Sequence, residues 1–545
     1  MTPPVAVSQR PAPHIGQCLP PEAATPAPPV ATPPPATSAG QRVRRFITPG
    51  IVLWTLTIIG ATLRYRGLTS GGLRTSDAWV ALTSKVGIGQ AWHMFANAPG
   101  FYFLEREWLM LHPGVTWWGQ LPALGMGVAS IPAIYFLLRY LKFDAWVQLT
   151  AAAVISLSPI CIIYSTRDKE YSADFLLACL LLAAAEEIRR HWRPRDLRNL
   201  AILTVVSFAM SGSTLPVIAA VWLAVAIHGL TSSRQLRDLL LPALPAAVVV
   251  LVVDHVFYSH LSGALNRQWS ANFFSHTSLS AFVDSVGQLM VYLYQGMTGS
   301  VLNGVIVFAL LTSLAILGAR QGTVTMSSAL VVGAALVACT LRVIPLGTGR
   351  TDEVLYPAFL VLWGSGLQYL ARSFKSSVTT KRWHGWCAGG IGIALMSVLL
   401  LSGVATPNGY DNKDVKPIAV AVSRQFRPGD HIVVDAMLRY TWALYEDTPP
   451  HILLGNTWMT GFTVASTQAN TFIVPSFEGE GDWRPNTWTQ QLAHFKRLWV
   501  MEPAYSAHPS LQPSSNSFYA DLYRAGWHPV RSIVGTGAEA ILLQR

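Results

Sequence analysis

The sequence predicts an α-helical polytopic membrane protein with a small α/β domain at its C-terminal end. Three observations carry that prediction. Half of the 545 residues are hydrophobic and only 12% are charged, which is too apolar for a soluble chain of this length. Apolar windows recur that are long enough to cross, or nearly cross, a hydrocarbon core of about 30 Å. Beyond residue 405 the pattern changes to short strand-like runs ("HIVVD", "HILLG", "RLWVM", "EAILL") alternating with helix-like ones ("RYTWALY", "SFYADLYRAG"), the signature of a small α/β fold.

Residues 1–45 form a Pro-rich tail: the first 41 residues hold 12 of the 35 prolines and only Arg10 and Glu22 as charges, a composition that cannot bury a core and is expected to stay extended. After "RVRRF" the first apolar window follows, read as an uncleaved membrane helix because a signal peptide would not have so long an N-terminal region ahead of it. Windows at 46–63, 115–138, 145–164, 171–188, 199–211, 214–230, 239–258, 301–317, 326–346, 354–371 and 387–405 give about eleven transmembrane helices within a domain spanning 46–405. Segment Leu279–Gly296 is interrupted by Asp284, Gln288 and Gln295 and is expected to lie along the membrane surface instead.

Charge sets the expected orientation. One alternating set of short connections holds 17 Lys and Arg residues and the opposite, longer set holds nine, so the first set should face the cytoplasm of a multi-pass inner-membrane protein. The N-terminus is then inside. Two long loops, 64–112 and 259–300, and the α/β domain 406–545 fall outside. The net charge of +11 is explained by those cytoplasmic loops, and a nucleic-acid partner is excluded. Four of the five cysteines lie in apolar segments and no CxxC or Cys/His cluster occurs, so neither a disulfide framework nor a zinc site is indicated.

One segment breaks the apolar pattern. "STRDKEYSADF", Ser165–Phe175, places five charges in the outer turn between the third and fourth helices. If the fourth helix begins early, Arg167, Glu170, Tyr171 and Asp174 recur at helical spacing on one face, with Asp168 and Lys169 turned elsewhere and open to solvation. Asp174 inside an apolar helix needs a cavity or a partner, and Arg167 is the nearest candidate. Asp77, His112, Arg342, Arg350, Asp352 and Glu353 collect at the same membrane face. Carboxylates plus fixed cations at one face suggest a site for an anionic, lipid-anchored substrate.

The order of motifs is telling. "SDAW" with Asp77 opens the first outer loop; "LHPGVTWW" with His112 and Pro113 precedes the second helix; "RDKEYSAD" follows the third; and "GTGRTDEVLYP" with Arg350 comes late. This set resembles the GT-C integral-membrane glycosyltransferases, in particular the bacterial relatives of the protein O-mannosyltransferases, the aminoarabinose transferases and the Rgt-type galacturonosyltransferases of lipopolysaccharide. Two positions depart from the family pattern: Ala78 stands where a second carboxylate often follows the first, and Gly114 replaces the second Pro of the motif at His112 and Pro113.

The resemblance implies transfer of a sugar from a polyprenyl-phosphate donor to a cell-envelope lipid, polysaccharide or protein at the outer face of the cytoplasmic membrane. Asp77 would then be the general base. Arg167, with Lys169, His112 and Arg350, would hold the leaving phosphate, while Tyr171 and Asp174 contact the sugar or orient Arg167. A monophosphate held by cations needs no metal, and none is expected. The alternative is a transporter or flippase of a lipid-linked sugar, although the midplane polar site and inverted repeats of secondary transporters are not evident.

Overall fold

The structure is a computed structural model that describes residues 48–545 apart from 69–71, 96–97, 230–232, 260–261, 299–304, 321, 377–400, 402–403, 406–414, 447, 456–459, 475–490, 505–511 and 536. The Pro-rich tail and most of the window at 387–405 lie outside the described residues.

The other ten predicted windows are helical. They fall on α1 (Pro49–Tyr65), α4 (Leu121–Tyr140), α5 (Ala145–Leu157) with α6 (Pro159–Tyr164), α7 (Tyr171–His191), α8 (Pro194–Met210), α9 (Leu215–Gly229), α10 (Ser233–Val253), α12 (Val305–Ala319), α13 (Thr323–Thr340) and α14 (Tyr356–Ser376). The segment 64–112 contributes α2 (Thr75–Ala81) and α3 (Pro99–Leu111), and the segment expected at the surface is α11 (Leu279–Thr298). Among the described residues, four helical stretches are long and apolar enough to cross a membrane: Leu121–Tyr140, Gly212–Gly229, Ser233–Tyr258 and Thr351–Ser373. α11 is not one of them, as its polar interruptions predict. The chain is an integral membrane protein.

The helices do not pack only as neighbours in sequence: α4 touches both α5 and α7, α1 lies against both α4 and α5, and α12 and α14 run together. α12 and α14 approach closely because glycines line the contact; a Cβ at Gly318 would come 1.9 Å from the Leu362 carbonyl oxygen. One apolar core joins them, from Leu53 through Leu182 and Val221 to Phe359.

The C-terminal part forms the expected α/β domain. α15 (Lys416–Ser423), α16 (Arg439–Tyr445) and α17 (Gln512–Arg524) surround a sheet of order β4-β1-β5-β7-β6, built from β1 (His431–Asp435), β4 (Thr471–Val474), β5 (Arg497–Pro503), β6 (His528–Val534) and β7 (Ala538–Gln544). β1 runs parallel to β4 and β5, and β7 is antiparallel to β5 and β6. The side-chain alternation of a strand explains the two cores: Ile432 and Val434 pack with Ile418, Leu438 and Trp442 on one face, while Val433 packs with Phe518, Leu522 and Trp527 on the other. A separate hairpin pairs β2 (His451–Leu454) with β3 (Phe462–Ala465).

This domain docks on the segment between α1 and α4. Phe462 and Val464 of β3, with Tyr440 and Ala443 of α16, share a core with Ala78, Val80, Phe95 and Phe101. Thr75 Oγ1 donates to the Met437 carbonyl at 3.0 Å and Lys85 Nζ to the Glu446 carbonyl at 2.6 Å. The helix that carries Asp77 is thereby clamped from above.

Candidate active site

The Ser165–Glu170 turn owes its shape to a break just before it. α5 ends at Leu157 because Pro159 has no N–H to offer the Ile155 carbonyl. Arg64, in the last turn of α1, fills the gap: its guanidinium donates to Ile155 O at 2.8 Å, Ser156 O at 3.1 Å and Gly60 O at 3.0 Å, and its Nε donates to Ser165 Oγ at 3.0 Å. Arg64, counted from sequence as a loop residue, is fully buried. Gln120 Nε2 donates to the Thr166 carbonyl at 2.7 Å, and Gly127 leaves room for Ser165, whose Oγ would lie 1.9 Å from any Cβ there.

All five charges of the run are buried. α7 begins at Tyr171, so Arg167 and Glu170 precede the helix and do not share its face with Asp174. Each charge is drawn to a different element. Arg167 Nε donates to both oxygens of Asp77, at 3.0 and 2.9 Å, and its terminal nitrogen donates to Ser76 Oγ. Asp168 turns toward Glu105 of α3. Lys169 Nζ donates to Tyr102 Oη at 3.2 Å and sits 4.2 Å from the centre of the Trp79 ring, a cation–π contact. Burial pushes the Lys169 ammonium down to about 8, against the raising effect of Glu170, Asp77 and Asp168. Asp174 accepts from Ser213 Oγ at 2.5 Å, and Ser211 and Ser213 are hydrogen-bonded to each other. Asp174 therefore faces the turn between α8 and α9, not Arg167.

A cavity of about 470 Å³ opens beside the turn. Lys169, Arg342 and Arg350 bring positive charge to its wall, Glu170 and Asp254 negative charge, and Trp79, Tyr171, Tyr258, Trp269 and Phe273 supply ring faces. Asp254 and Tyr258 belong to a π-helical turn, Asp254–Tyr258, that ends α10; such turns re-aim side chains at functional sites. The Tyr258 ring needs Gly212 opposite, since a Cβ there would lie 2.8 Å from Cε1. Arg350 is presented over the Trp269 ring at 5.2 Å by a loop in which Gly347 and Gly349 adopt φ near +69° and +68°. Asp352 holds that loop by accepting from Gly347 N at 3.0 Å and Gly349 N at 2.7 Å.

The structure thus brings Lys169, Tyr171 and Arg350 to one cavity, with Ser211 and Ser213 linking Asp174 to it. Asp77 and Arg167 lie close by as a buried ion pair but are not among the residues lining it. His112 is exposed, edge-on to Trp118 at 4.5 Å, and does not line it either. Glu105, Tyr102, Trp269 and Asp254 are additions, whereas Asp352 is one of the charges that the sequence places at this face. Glu105 and Asp254 left a sequence trace, each a carboxylate within an apolar stretch ("FYFLEREWLML", "VVVLVVDHVFY"). Among the described residues no group of three or more His, Cys, Asp or Glu is arranged to hold a metal ion.

No family profile matches the chain, and no curated protein is detectably similar to it in sequence. Solved structures are similar in shape. ArnT from Cupriavidus metallidurans bound to undecaprenyl phosphate superposes with a TM-score of 0.51 and 13% identity, covering 91% of this chain and 98% of that one. The apo state of the same protein gives 0.48 at 13% identity over 93% and 98%. Arabinofuranosyltransferase AftD from Mycobacteria gives 0.42 at 12% identity and covers 91% of this chain but 42% of its own length. The fold is therefore shared with ArnT over most of both chains.

Proposed function

We propose that the protein is a glycosyltransferase that moves a sugar from a polyprenyl-phosphate donor to a cell-envelope acceptor at the outer face of the cytoplasmic membrane. The observation that carries this reading is the cavity, which Lys169 and Arg350 line among aromatic faces, next to the Asp77–Arg167 pair. Fixed cations suit a phosphate, and ring faces suit a sugar and the first units of an isoprenoid chain. The shared fold supports it too, ArnT being a protein seen with undecaprenyl phosphate bound.

In this reading the acceptor hydroxyl oxygen forms a bond to the anomeric carbon while the bond from that carbon to the phosphate oxygen breaks. The hydroxyl proton passes to Asp77, and the lipid phosphate leaves with its new charge facing Lys169 and Arg350. Both Asp77 oxygens accept from Arg167 at present, so the base is released when a donor phosphate draws Arg167 away. Asp174, acting through Ser213, and Tyr171 orient the sugar.

Deleting the gene and profiling lipids and glycans tests the reaction: one sugar should vanish from an envelope glycan or lipid while its polyprenyl-phosphate form accumulates. A strain with an unchanged profile would overturn the proposal. In purified protein, Asp77→Asn should slow transfer by about a hundredfold or more with donor binding kept. If Asp77 served only as the buried partner of Arg167, Asp77→Asn would lower the thermal midpoint and donor binding along with turnover.

A further inference from the structure

Two acids beside the cavity take no part in the chemistry above. Glu105 lies mid-way along α3, on the face that buries Phe101, Tyr102 and Leu109, and Asp168 lies in the turn before α7; neither is reached by solvent. All four of their carboxyl oxygens are buried, and none accepts a hydrogen bond from a donor among the described residues. The two carboxyls lie within hydrogen-bonding reach of each other, with Asp77 the next acid and Lys169 the nearby cation. No nearby cation reaches them: the terminal nitrogens of Arg106 of α3 donate to Glu107 and the Val86 carbonyl, Arg167 donates to Asp77 and Ser76, and Lys169 to Tyr102. On the far side Gly119 closes the site, its Cβ position 3.4 Å from Glu105 Oε1.

Two ionised carboxylates cannot rest against each other in a dry site without donors, because repulsion adds to lost solvation. A single proton removes both costs, since a protonated carboxyl donates and its ionised partner accepts. We propose that Glu105 and Asp168 share one proton at neutral pH, forming a carboxyl pair that ties α3 to the Ser165–Glu170 turn and so positions Arg167 and Lys169. Burial in the first place, then Glu105 and Asp77, pushes Asp168 well above the usual carboxylate range, and burial raises Glu105 likewise against the lowering effect of its bond with Asp168. These are positioning residues. The pair stands independently of the transferase reading.

The consequence is an unusual tolerance. Gln at 105 or Asn at 168 supplies an N–H donor where the shared proton stood, so either amide should preserve the pair, whereas Ala should not. The test is infrared spectroscopy of the purified full chain at neutral pH, comparing H2O with D2O. A deuterium-sensitive carbonyl band of a buried protonated carboxyl is expected, lost in both Glu105→Gln and Asp168→Asn while each keeps the thermal midpoint of the parent. Glu105→Ala should lower that midpoint. Absence of the band in the parent, its persistence in both amide variants, or loss of folding in both would overturn the proposal. So would a band that emerges only after a chelator is added, because the acids would then be ionised around a divalent cation.

Discussion

Asp430 in the C-terminal sheet domain and Asp168 in the turn before α7 are both hidden from solvent, and their surroundings are opposite. Asp430 accepts from Arg497 Nε at 2.7 Å, from Trp499 Nε1 at 3.3 Å and from Arg427 N at 3.1 Å, so its charge is saturated with donors. Asp168 meets another acid and no donor. The first arrangement fixes a fold, since Asp430 joins the loop before β1 to two residues of β5. The second is costly and is concentrated with Arg167, Lys169 and Asp174 around one cavity, which is where proteins tolerate such cost for function.

Arg64 has the saturated character of Asp430 but stands at the edge of the costly region, so its removal should have the largest effect. Arg64→Ala leaves the Ile155 and Ser156 carbonyls without donors and frees Ser165. A loss of several kcal/mol is expected, at about 1.5–3 kcal/mol for each charged hydrogen bond removed, read as lower membrane abundance and a lower thermal midpoint in detergent. A midpoint equal to the parent would mean that the break at Pro159 is held by packing alone.

The comparison itself is sharpened by amides. Asp430→Asn places an NH2 group among three donors and removes the charge opposite Arg497, and should cost about 1–3 kcal/mol. Glu105→Gln places the same group among acceptors and should cost far less. Thermal unfolding of the two variants side by side decides: equal losses would erase the distinction between a donor-saturated and a donor-free acid.

Lys169 provides a pH signature. Its ammonium, pushed down to about 8 by burial, is charged below that pH and neutral above it. If the charge steadies the leaving phosphate, transfer should fall as pH rises through about 8, and Lys169→Arg, which does not deprotonate in this range, should hold its own activity level across it. A parent enzyme whose rate is flat from neutral to alkaline pH would remove Lys169 from phosphate binding.

Much of this was legible from sequence, for physical reasons. Apolar windows depend on composition over many residues, so ten of eleven are found as helices and "HIVVD", "HILLG", "RLWVM" and "EAILL" as strands. The turn at Ser165 was visible because charge interrupts lipid-like sequence. Its internal wiring was not. The pairing of Arg167 with Asp77 spans 90 positions, and that of Asp168 with Glu105 links a turn to a helix of another loop. No periodicity encodes such contacts. Helical spacing put Arg167 and Asp174 on one face, but Arg64 and Gln120 hold the turn open so that α7 starts only at Tyr171.

The smallest expected effect concerns His112, where motif and geometry part. The motif "LHPG" places it among candidate phosphate contacts, yet the ring is exposed and its visible partner is the edge of Trp118, in turn stacked on Trp108 at 4.4 Å. An exposed contact of this kind is worth about 0–1 kcal/mol. His112→Ala should therefore change transfer by about fivefold or less, with no change in donor affinity. Donor binding separates this from the alternative, because replacing a histidine that swings onto the phosphate would lower affinity and rate together. A drop of tenfold or more in both would return His112 to the site.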